Sequence, residues 1–206
     1  RIELLDNVPP LKSKSLVHLH ISTSETIARV ILYDREELKP KDSCFCQLRL
    51  SDPVIALSGD RFILRRFSPV ITIGGGTVLY PSQSRRKRTE GTNDLEMIEE
   101  GALPEKIAVK VKKSGLEGMD LRSLCGWVKA DTPAIEGSIK ILLDDGILIK
   151  LDNRLLHIDV YRNITSAILN TVRDSHKKNP LIPGIQKEEL RTQLKVPREI
   201  WGALLS

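Results

Sequence analysis

Aromatic side chains, cysteines and long apolar runs are all scarce in this chain. Phe, Tyr and Trp make up only 4% of the 206 residues, which argues against a platform of exposed rings that stacks single-stranded RNA. The three cysteines have no disulfide-framework spacing, as is typical of a reducing compartment, so we expect a cytoplasmic location. No window approaches the ~18 consecutive apolar residues of a membrane span, and no signal peptide opens the chain. We therefore expect no membrane partner.

Charge is plentiful and unevenly distributed. The composition, 40% hydrophobic and 29% charged, is that of a globular chain with enough apolar residues for real cores. Much of the net charge of +5 comes from one compact run, Arg85, Arg86, Lys87 and Arg88. A polyanion is one candidate partner for this run. A solvated linker whose charge only aids solubility is the alternative.

The first eighty residues alternate between apolar and polar side chains in short segments, which predicts β-strands. The strands are expected at Leu16–Ile21, Ile27–Tyr33, Cys44–Leu50, Arg61–Arg65, Val70–Ile73 and Thr77–Tyr80. Pro, Gly, Asp and Ser separate them, and residues 37–43 are expected to form a polar turn. Many short strands of this kind predict a closed barrel or a sandwich.

From Asp94 onward the apolar spacing becomes helical. Helices are expected at residues 104–113, 120–128 and 134–145, followed by a hairpin in which Asp152 and Asn153 form the turn. Three helices and a two-stranded ribbon are the order of a winged helix, a relative of the helix-turn-helix. The pattern then restarts, with helices expected at residues 161–176, at 187–194 and from 197, which predicts a second, truncated winged helix.

These patterns divide the chain into four parts. We predict a β-barrel at residues 1–82, a basic linker at 83–93, a first winged helix at 94–158 and a truncated second winged helix at 159–206. The fold class is therefore multidomain, an all-β barrel followed by α+β winged-helix modules. Because the chain starts without Met and ends inside an apolar helical pattern, we expect it to be a piece of a longer protein.

Two motifs resemble a known family. Residues 59–65 (Gly-Asp-Arg-Phe-Ile-Leu-Arg) and 68–79 (Ser-Pro-Val-Ile-Thr-Ile-Gly-Gly-Gly-Thr-Val-Leu) resemble the last strands of the third domain of translational GTPases. The Thr-Ile-Gly-Gly-Gly variant is similar to that of the selenocysteine-specific elongation factors in particular. Residues 179–191 resemble the opening of that family's second winged helix. The resemblance implies that the barrel is of the translation-factor domain III type.

The resemblance also implies a function for the parent protein. Such a factor binds GTP with magnesium and delivers selenocysteinyl-tRNA to the ribosome at recoded UGA codons, and its last winged helices grip an mRNA hairpin. This chain has no Gly-x-x-x-x-Gly-Lys-[Ser/Thr] phosphate loop. We therefore expect GTP, magnesium and the mRNA-gripping modules to lie outside the chain. We expect no cofactor, catalytic residue or enzyme activity within it.

The resemblance to elongation factor Tu places the residues after the Phe62–Leu64 strand against the T-stem of a tRNA. The candidate RNA contacts are therefore Arg65, Arg66 and Phe67, and an arginine that faces phosphate is chemically sensible because it releases counterions. Surface ion pairs with barrel carboxylates are the alternative. The cations of residues 85–88 are further candidates for contact with tRNA or ribosomal RNA. A disordered linker with nonspecific charge is the alternative there.

Other motifs have simpler interpretations. No helix follows the Gly74–Gly76 run to hold an anion, so the run predicts a bulge or close backbone packing in a barrel strand. A zinc site would need the pairs His18/His20 and Cys44/Cys46 to meet, which no spacing rule supports, and Cys125 has no evident His partner. We therefore predict no metal site, and we expect the cysteines and both tryptophans to lie in cores.

The third helix of the first winged helix is the groove-reading element in DNA-binding relatives. Its outer face is mixed to acidic and includes Glu136, Lys140, Asp144 and Asp145, so the module is predicted to be a spacer or a partner-docking unit. The better basic face is on its first helix, at Lys106, Lys110, Lys112 and Lys113. A DNA-binding transcription regulator with a β sensor domain is the principal alternative for the whole chain, and a metalloprotein is the second.

Overall fold

The structure is a computed structural model that describes residues 1–81, 86, 91–128, 130–178 and 184–205. The chain divides into two compact units, residues 1–100 and residues 101–206. The first unit contains the β-barrel and one helix, and the second contains the winged-helix elements. The predicted boundaries at residues 82, 93 and 158 stay predictions. Helix Asn93–Glu100 lies with the barrel in this division, although its sequence pattern assigned it to the first winged helix.

The elements of the first unit are short strands and one helix. They are β1 (Ile2–Leu4), β2 (Leu11–Lys12), β3 (Leu16–Ile21), β4 (Ser24–Leu32), β5 (Glu37–Leu38), β6 (Ser43–Cys44), β7 (Cys46–Leu50), β8 (Arg61–Arg65), β9 (Thr72–Thr77) and α1 (Asn93–Glu100). Seven strands form one antiparallel sheet in the order β6-β1-β9-β8-β3-β4-β7, and β2 pairs with β5.

The seven-stranded sheet curls on itself. Its two edge strands, β6 and β7, are separated in the chain only by Phe45, so the two edges lie next to each other. A sheet whose edges meet in this way forms a barrel-like shell and leaves little unpaired edge for association with other chains. The predicted barrel followed by winged-helix modules is confirmed.

The barrel interior is filled by alternate residues of the strands. In β3, Val17, Leu19 and Ile21 are buried, whereas His18 and His20 lie on the outer face. Side chains from the other strands complete the core, including Ile2, Val30, Leu32, Leu38, Phe62 and Leu64. Each large aliphatic side chain removed from water in this way contributes roughly 1.5–3 kcal/mol, which is the main source of stability for the barrel.

The structure differs from three of the predicted strand assignments. The stretch predicted as one strand, Cys44–Leu50, is interrupted at Phe45, where the chain passes from one sheet edge to the other. Residues 37–38 form a strand instead of a polar turn, because Leu38 is fully buried while its neighbours face water. The two strands expected around the glycines are one continuous strand, β9.

The three glycines of β9 allow the neighbouring backbones to approach closely. A Cβ atom on Gly75 would lie 2.5 Å from the carbonyl oxygen of Phe62 in β8. Cβ atoms on Gly74 and Gly76 would overlap the carbonyl oxygens of Glu3 and Arg1, on the β1 side. The prediction of close backbone packing in a barrel strand is confirmed, and the physical requirement is the absence of a side chain.

The second unit has the helix and strand order of a winged helix. Its elements are α2 (Leu103–Ser114), α3 (Leu121–Trp127), α4 (Thr132–Asp144), β10 (Leu148–Leu151), β11 (Arg154–His157), α5 (Ile158–Lys178), α6 (Lys187–Leu194) and α7 (Arg198–Leu205). Aspartates cap two of the helices: Asp120 accepts from the Ser123 amide at 2.7 Å, and Asp131 accepts from the Ala134 amide at 3.3 Å. The hairpin turn at Asp152 has the left-handed backbone that its tight geometry requires.

Both faces of the β10–β11 hairpin are covered by apolar cores. Leu148 and Leu155 belong to the core formed by α2, α3 and α4. Leu156 belongs to a second core with Ile164, Ile200 and other residues of α5, α6 and α7. The two predicted winged-helix modules are therefore not independent of each other in this unit, because they share the hairpin and α5 begins directly after β11.

Buried tryptophans and amphipathic helices complete the second unit. Trp127 is 8% exposed and Trp201 is 6% exposed, which confirms that both pack in cores. The longest helix, α5, carries charged and polar residues along much of its length. Within the described residues, none of the helices has the length and apolar character needed to cross a bilayer.

We expect substitution of Gly76 by alanine to destabilise the barrel by at least about 2 kcal/mol, because the added methyl group meets backbone atoms that cannot move aside. Urea denaturation provides the measurement. Gly137→Ala is the matched control: this exposed helical glycine has no described atom within 4 Å of the added Cβ, so we expect a gain of about 0.5–1 kcal/mol. Equal effects of the two substitutions would contradict the close-approach argument.

Candidate nucleic-acid interface

Three of the predicted RNA-contacting residues lie together where β8 ends. Arg65 is the last residue of β8, and Arg66 and Phe67 begin the connection to β9. The Arg66 amide donates to the carbonyl oxygen of Ile71 at 2.9 Å, which holds the connection in a turn. The Arg66 side chain is exposed, and Phe67 keeps 38% of its surface accessible. The turn therefore exposes a cation and a ring at consecutive positions of the chain.

Pairing between β3 and β8 adds two histidines to this surface. His18 lies opposite Arg65 in the register, and His20 lies opposite Ile63. The imidazole of His18 contacts the Phe67 ring, with 4.1 Å between the ring centroids. The sequence pattern indicated both histidines only as candidate metal ligands, because pairing between strands so distant in the chain leaves no local pattern.

One carboxylate organises these histidines. Glu25, on β4, places Oε1 2.9 Å from Nδ1 of His18 and 3.8 Å from Nε2 of His20. The outer face of β3, β4 and β8, with the turn that follows β8, thus holds an acidic group, two imidazoles, a phenyl ring and several arginines. Such a mixture of rings and cations suits contact with the sugars, bases and phosphates of RNA.

The Arg65 guanidinium has unused hydrogen-bonding capacity. Its Nε is buried, and no acceptor among the described residues lies within hydrogen-bonding distance of that atom. An arginine at this position can orient its terminal nitrogens toward a phosphate, which accepts two parallel hydrogen bonds from one guanidinium. RNA contact by Arg65, Arg66 and Phe67 stays a prediction.

Arg86, by contrast, is engaged within the first unit. Its terminal nitrogens donate to Asp94 at 2.7 and 2.5 Å and to the carbonyl oxygen of Gly91 at 2.5 Å. Its guanidinium carbon lies 5.5 Å from the centre of the Tyr33 ring, and only 11% of its side chain is exposed. Contact with RNA would require exchange of these interactions. Arg85, Lys87 and Arg88 lie outside the described residues.

A second arginine makes a similar set of contacts with α1. The Arg1 guanidinium donates to Glu99 at 2.6 Å and to the Ser43 hydroxyl at 2.9 Å, and it lies 5.4 Å from the Phe45 ring centre. Arg86 and Arg1 therefore hold opposite ends of α1, while Leu95 and Ile98 are buried between them. This arrangement gives Arg86 a structural role that its position in a basic run did not indicate.

In the second unit, the outer face of α4 has the mixed-to-acidic character that was predicted. Glu136, Lys140 and Asp144 are all exposed. The basic residues of α2 are partly engaged within the unit, because Lys112 pairs with Asp159 at 2.6 Å and Lys110 lies 5.2 Å from the Trp127 ring centre. Burial lowers the pKa of Lys110. Neither helix forms an uninterrupted cationic surface.

The candidate metal ligands do not meet. Cys44 lies in the barrel core, whereas His18 and His20 lie on the outer face of β3. Across the described residues, no group of three or more His, Cys, Asp or Glu side chains is arranged to hold a metal ion. Burial raises the pKa of Cys44 to about 11 and that of Cys46 to about 12. These values suit inert core thiols and disfavour a nucleophile or metal-ligand role.

Two family models match the chain. One, described as "Selenocysteine-specific elongation factor, beta-barrel domain", matches residues 2–85, and another, described as "Elongation factor SelB, winged helix", matches residues 169–206. Together they cover more than half of the chain, and they occur in the order expected from the sequence. The matched domains are barrel and winged-helix domains.

Individual proteins agree with these matches. The curated "Selenocysteine-specific elongation factor" of Desulfomicrobium baculatum is 25% identical over 185 residues, which cover 88% of this chain and 29% of that protein. A crystal structure of a bacterial selenocysteine-specific elongation factor, EF-Sec, matches with a TM-score of 0.68 at 16% identity, over 99% of this chain and 31% of that one. The structural match confirms the fold, and the chain spans less than a third of either relative.

We expect Arg86→Ala to destabilise the first unit by roughly 2–3 kcal/mol. The loss leaves Asp94 without its bidentate partner, and this pair is mostly, though not fully, shielded from water. The matched control is Arg35→Ala, which removes the same charge from a pair with Asp34 that is 37% and 49% exposed and should cost less than about 1 kcal/mol. Urea denaturation measures both, and an equal cost for the two would contradict a structural role for Arg86.

We expect Cys125 to react first with a thiol reagent at pH 8, because it is partly exposed. With pKa values of about 11 and about 12, fewer than ~1 in 1,000 of the Cys44 and Cys46 thiols are thiolate at that pH. In the folded chain about one thiol per molecule should therefore react rapidly. In the unfolded chain all three thiols should react rapidly. Cys125→Ser should abolish the rapid phase. Rapid labelling that persists in this variant would contradict the burial argument.

Proposed function

Because the chain belongs to the selenocysteine-specific elongation factor family, we propose that it is part of a GTP-dependent factor that delivers selenocysteinyl-tRNA to the ribosome at recoded UGA codons. In this proposal the barrel supplies part of the surface that faces the tRNA. The winged-helix unit acts as a spacer toward modules that bind an mRNA hairpin. The site of action is the cytoplasm, where translation takes place.

The observation that carries the tRNA-facing role is the exposed Arg66–Phe67 pair at the end of β8. Arg66 offers a charge that can neutralise a phosphate, and Phe67 offers a ring beside it. Arg65 adds a second guanidinium next to them in the chain. Arg86, the described member of the basic run, is engaged with Asp94. Within the described residues, the end of β8 is therefore better supported as an RNA surface than the basic run.

The spacer role of the second unit rests on how its hairpin is packed. In DNA-reading relatives the third helix occupies a groove, and the wing offers further contacts. Here apolar cores cover both faces of the hairpin, and the outer face of α4 carries Glu136 and Asp144. A unit with these features is better suited to act as a rigid spacer than to recognise a nucleic-acid sequence. A spacer that joins an mRNA-binding end to a tRNA-binding end raises the local concentration of the bound tRNA near the bound mRNA.

GTP and magnesium belong, in this proposal, to a domain outside these residues. The chain has no phosphate-loop motif. The Gly74–Gly76 run is a strand bounded by backbone on both sides, so it does not fit a nucleotide phosphate. The chain therefore contributes binding and spacing, and we assign it no step of GTP hydrolysis.

We expect Arg66→Gln to weaken binding of the chain to a selenocysteine tRNA transcript and to reduce the slope of log K against log salt by about 0.7–1, the amount due to one lost phosphate contact. Fluorescence anisotropy between about 50 and 200 mM salt provides the measurement. Arg61→Gln is the matched control, since it removes an equal charge from the exposed first residue of β8, the strand that Arg66 directly follows.

Two outcomes would contradict the proposal. One is an equal loss of slope in Arg66→Gln and Arg61→Gln, which would indicate that only overall charge matters. The other is tighter binding of duplex DNA than of the tRNA, measured in the same titration. The second result would favour the alternative of a winged-helix transcription regulator.

A further inference from the structure

His18 occupies an unusual position on the outer face of the barrel. Its neighbours in β3, Val17 and Leu19, point into the core, so its own side chain points outward, and 26% of it is exposed. Its ring contacts Phe67, and its Nδ1 lies 2.9 Å from Oε1 of Glu25. A surface histidine fixed from two directions has lost the freedom that surface side chains usually keep.

From this geometry we infer that His18 is a positioning residue for RNA binding, which holds the Phe67 ring so that its free face can stack on a sugar or base of a bound RNA strand. The inference rests on the proposed function, because it concerns the same surface. It adds a residue, and a mode of contact, that the resemblance to known factors did not supply.

The ring geometry supports a holding role. The centroids are 4.1 Å apart with a 40° angle between the ring planes, which is close contact for an aromatic pair. The polar contact with Glu25 at 2.9 Å restricts rotation of the imidazole, so the imidazole in turn restricts the phenyl ring. Phe67 nevertheless keeps 38% of its surface exposed, so part of the ring remains open to a ligand.

Pre-organisation of this kind affects affinity. A side chain that is ordered before binding loses less entropy when it binds, and the saving for one side chain corresponds to roughly a 2- to 10-fold gain in affinity. Stacking itself is tolerant of sequence, because every base and ribose offers an apolar face. His18 would therefore strengthen RNA binding without altering sequence preference or the number of phosphate contacts.

The composition of the surrounding surface favours RNA over an apolar protein partner. Arg65 lies directly opposite His18, and the exposed Arg66 adjoins Phe67 in the chain. The nearby carboxylate, Glu25, is already engaged by His18, which reduces its repulsion of a phosphate. Cations beside a held ring complement an RNA strand, whose phosphates alternate with sugars and bases.

The test compares His18→Ala with His20→Ala in tRNA binding by anisotropy. His20 is a matched control, since it lies on the same strand and face and approaches the same carboxylate only at 3.8 Å. We expect His18→Ala to weaken binding about 2- to 10-fold with an unchanged salt slope, and His20→Ala to have little effect. His18→Phe, which retains a ring against Phe67, should restore most of the affinity.

A second readout does not depend on RNA. In the free chain, His18→Ala should shift the ring-proton NMR resonances of Phe67, because a neighbouring ring is lost, whereas His20→Ala should not. Phe67→Leu should weaken tRNA binding, and in the double variant with His18→Ala the losses should be less than additive, as expected for residues that act as a unit.

The possible results separate the two proposals. If Arg66→Gln lowers the salt slope but His18→Ala binds tRNA as the original chain does, the positioning role is overturned and the proposed function stands. Fully additive losses for His18→Ala and Phe67→Leu would also overturn it. If the unmodified chain does not bind tRNA at all, both proposals fail. Both proposals also fail if this surface binds a protein and the chain binds no RNA.

Discussion

Close approach of three backbones at β9 is the constraint on which the barrel and its candidate site depend. Gly74, Gly75 and Gly76 allow β1 and β8 to pair with β9 on both sides, where any side chain would overlap a carbonyl oxygen. Through β1 the sheet continues to β6, and Phe45 then leads to β7, so the curl depends on this contact. Through β8 it fixes the position of Arg65 and the turn that presents Phe67. The composition of this glycine run suggests phosphate binding, but the run acts instead through its missing side chains.

The second unit depends on a different constraint, the two apolar faces of one short hairpin. Because successive residues of a strand point to opposite sides, Leu148 and Ile149 contribute to different cores. A wing that faces solvent on one side can enter a groove, but this one cannot without exposing Leu156 and its neighbours. The proposed spacer role therefore rests on this packing, and the acidic residues on α4 are consistent with it.

Local patterns predicted most of the elements, and the misses have a common physical cause. Three elements have the predicted bounds: β3, β8 and α6. Each is long enough for the spacing of its apolar residues to be recognised in the sequence. The strands β1, β2 and β5 are too short for alternation to be recognised, and their pairing depends on distant partners. The same limit applies to the site: Arg66 and Phe67 were identifiable from a motif, whereas the contact of His18 with Phe67 depends on the register between β3 and β8.

Charge and aromatic content show why composition is a weak guide to a binding surface. Arg66 and Arg86 are the same residue type and were predicted to share a role, but Arg86 meets Asp94 and the Tyr33 ring, while Arg66 is exposed. They differ because Arg86 has a carboxylate, that of Asp94, within hydrogen-bonding distance. A count of cations in the sequence does not show this difference. Similarly, an aromatic content of 4% argues against a broad stacking platform, but stacking free energy is gained base by base. One phenyl ring, held in place by a histidine, is sufficient to supply a single contact of this kind beside an arginine.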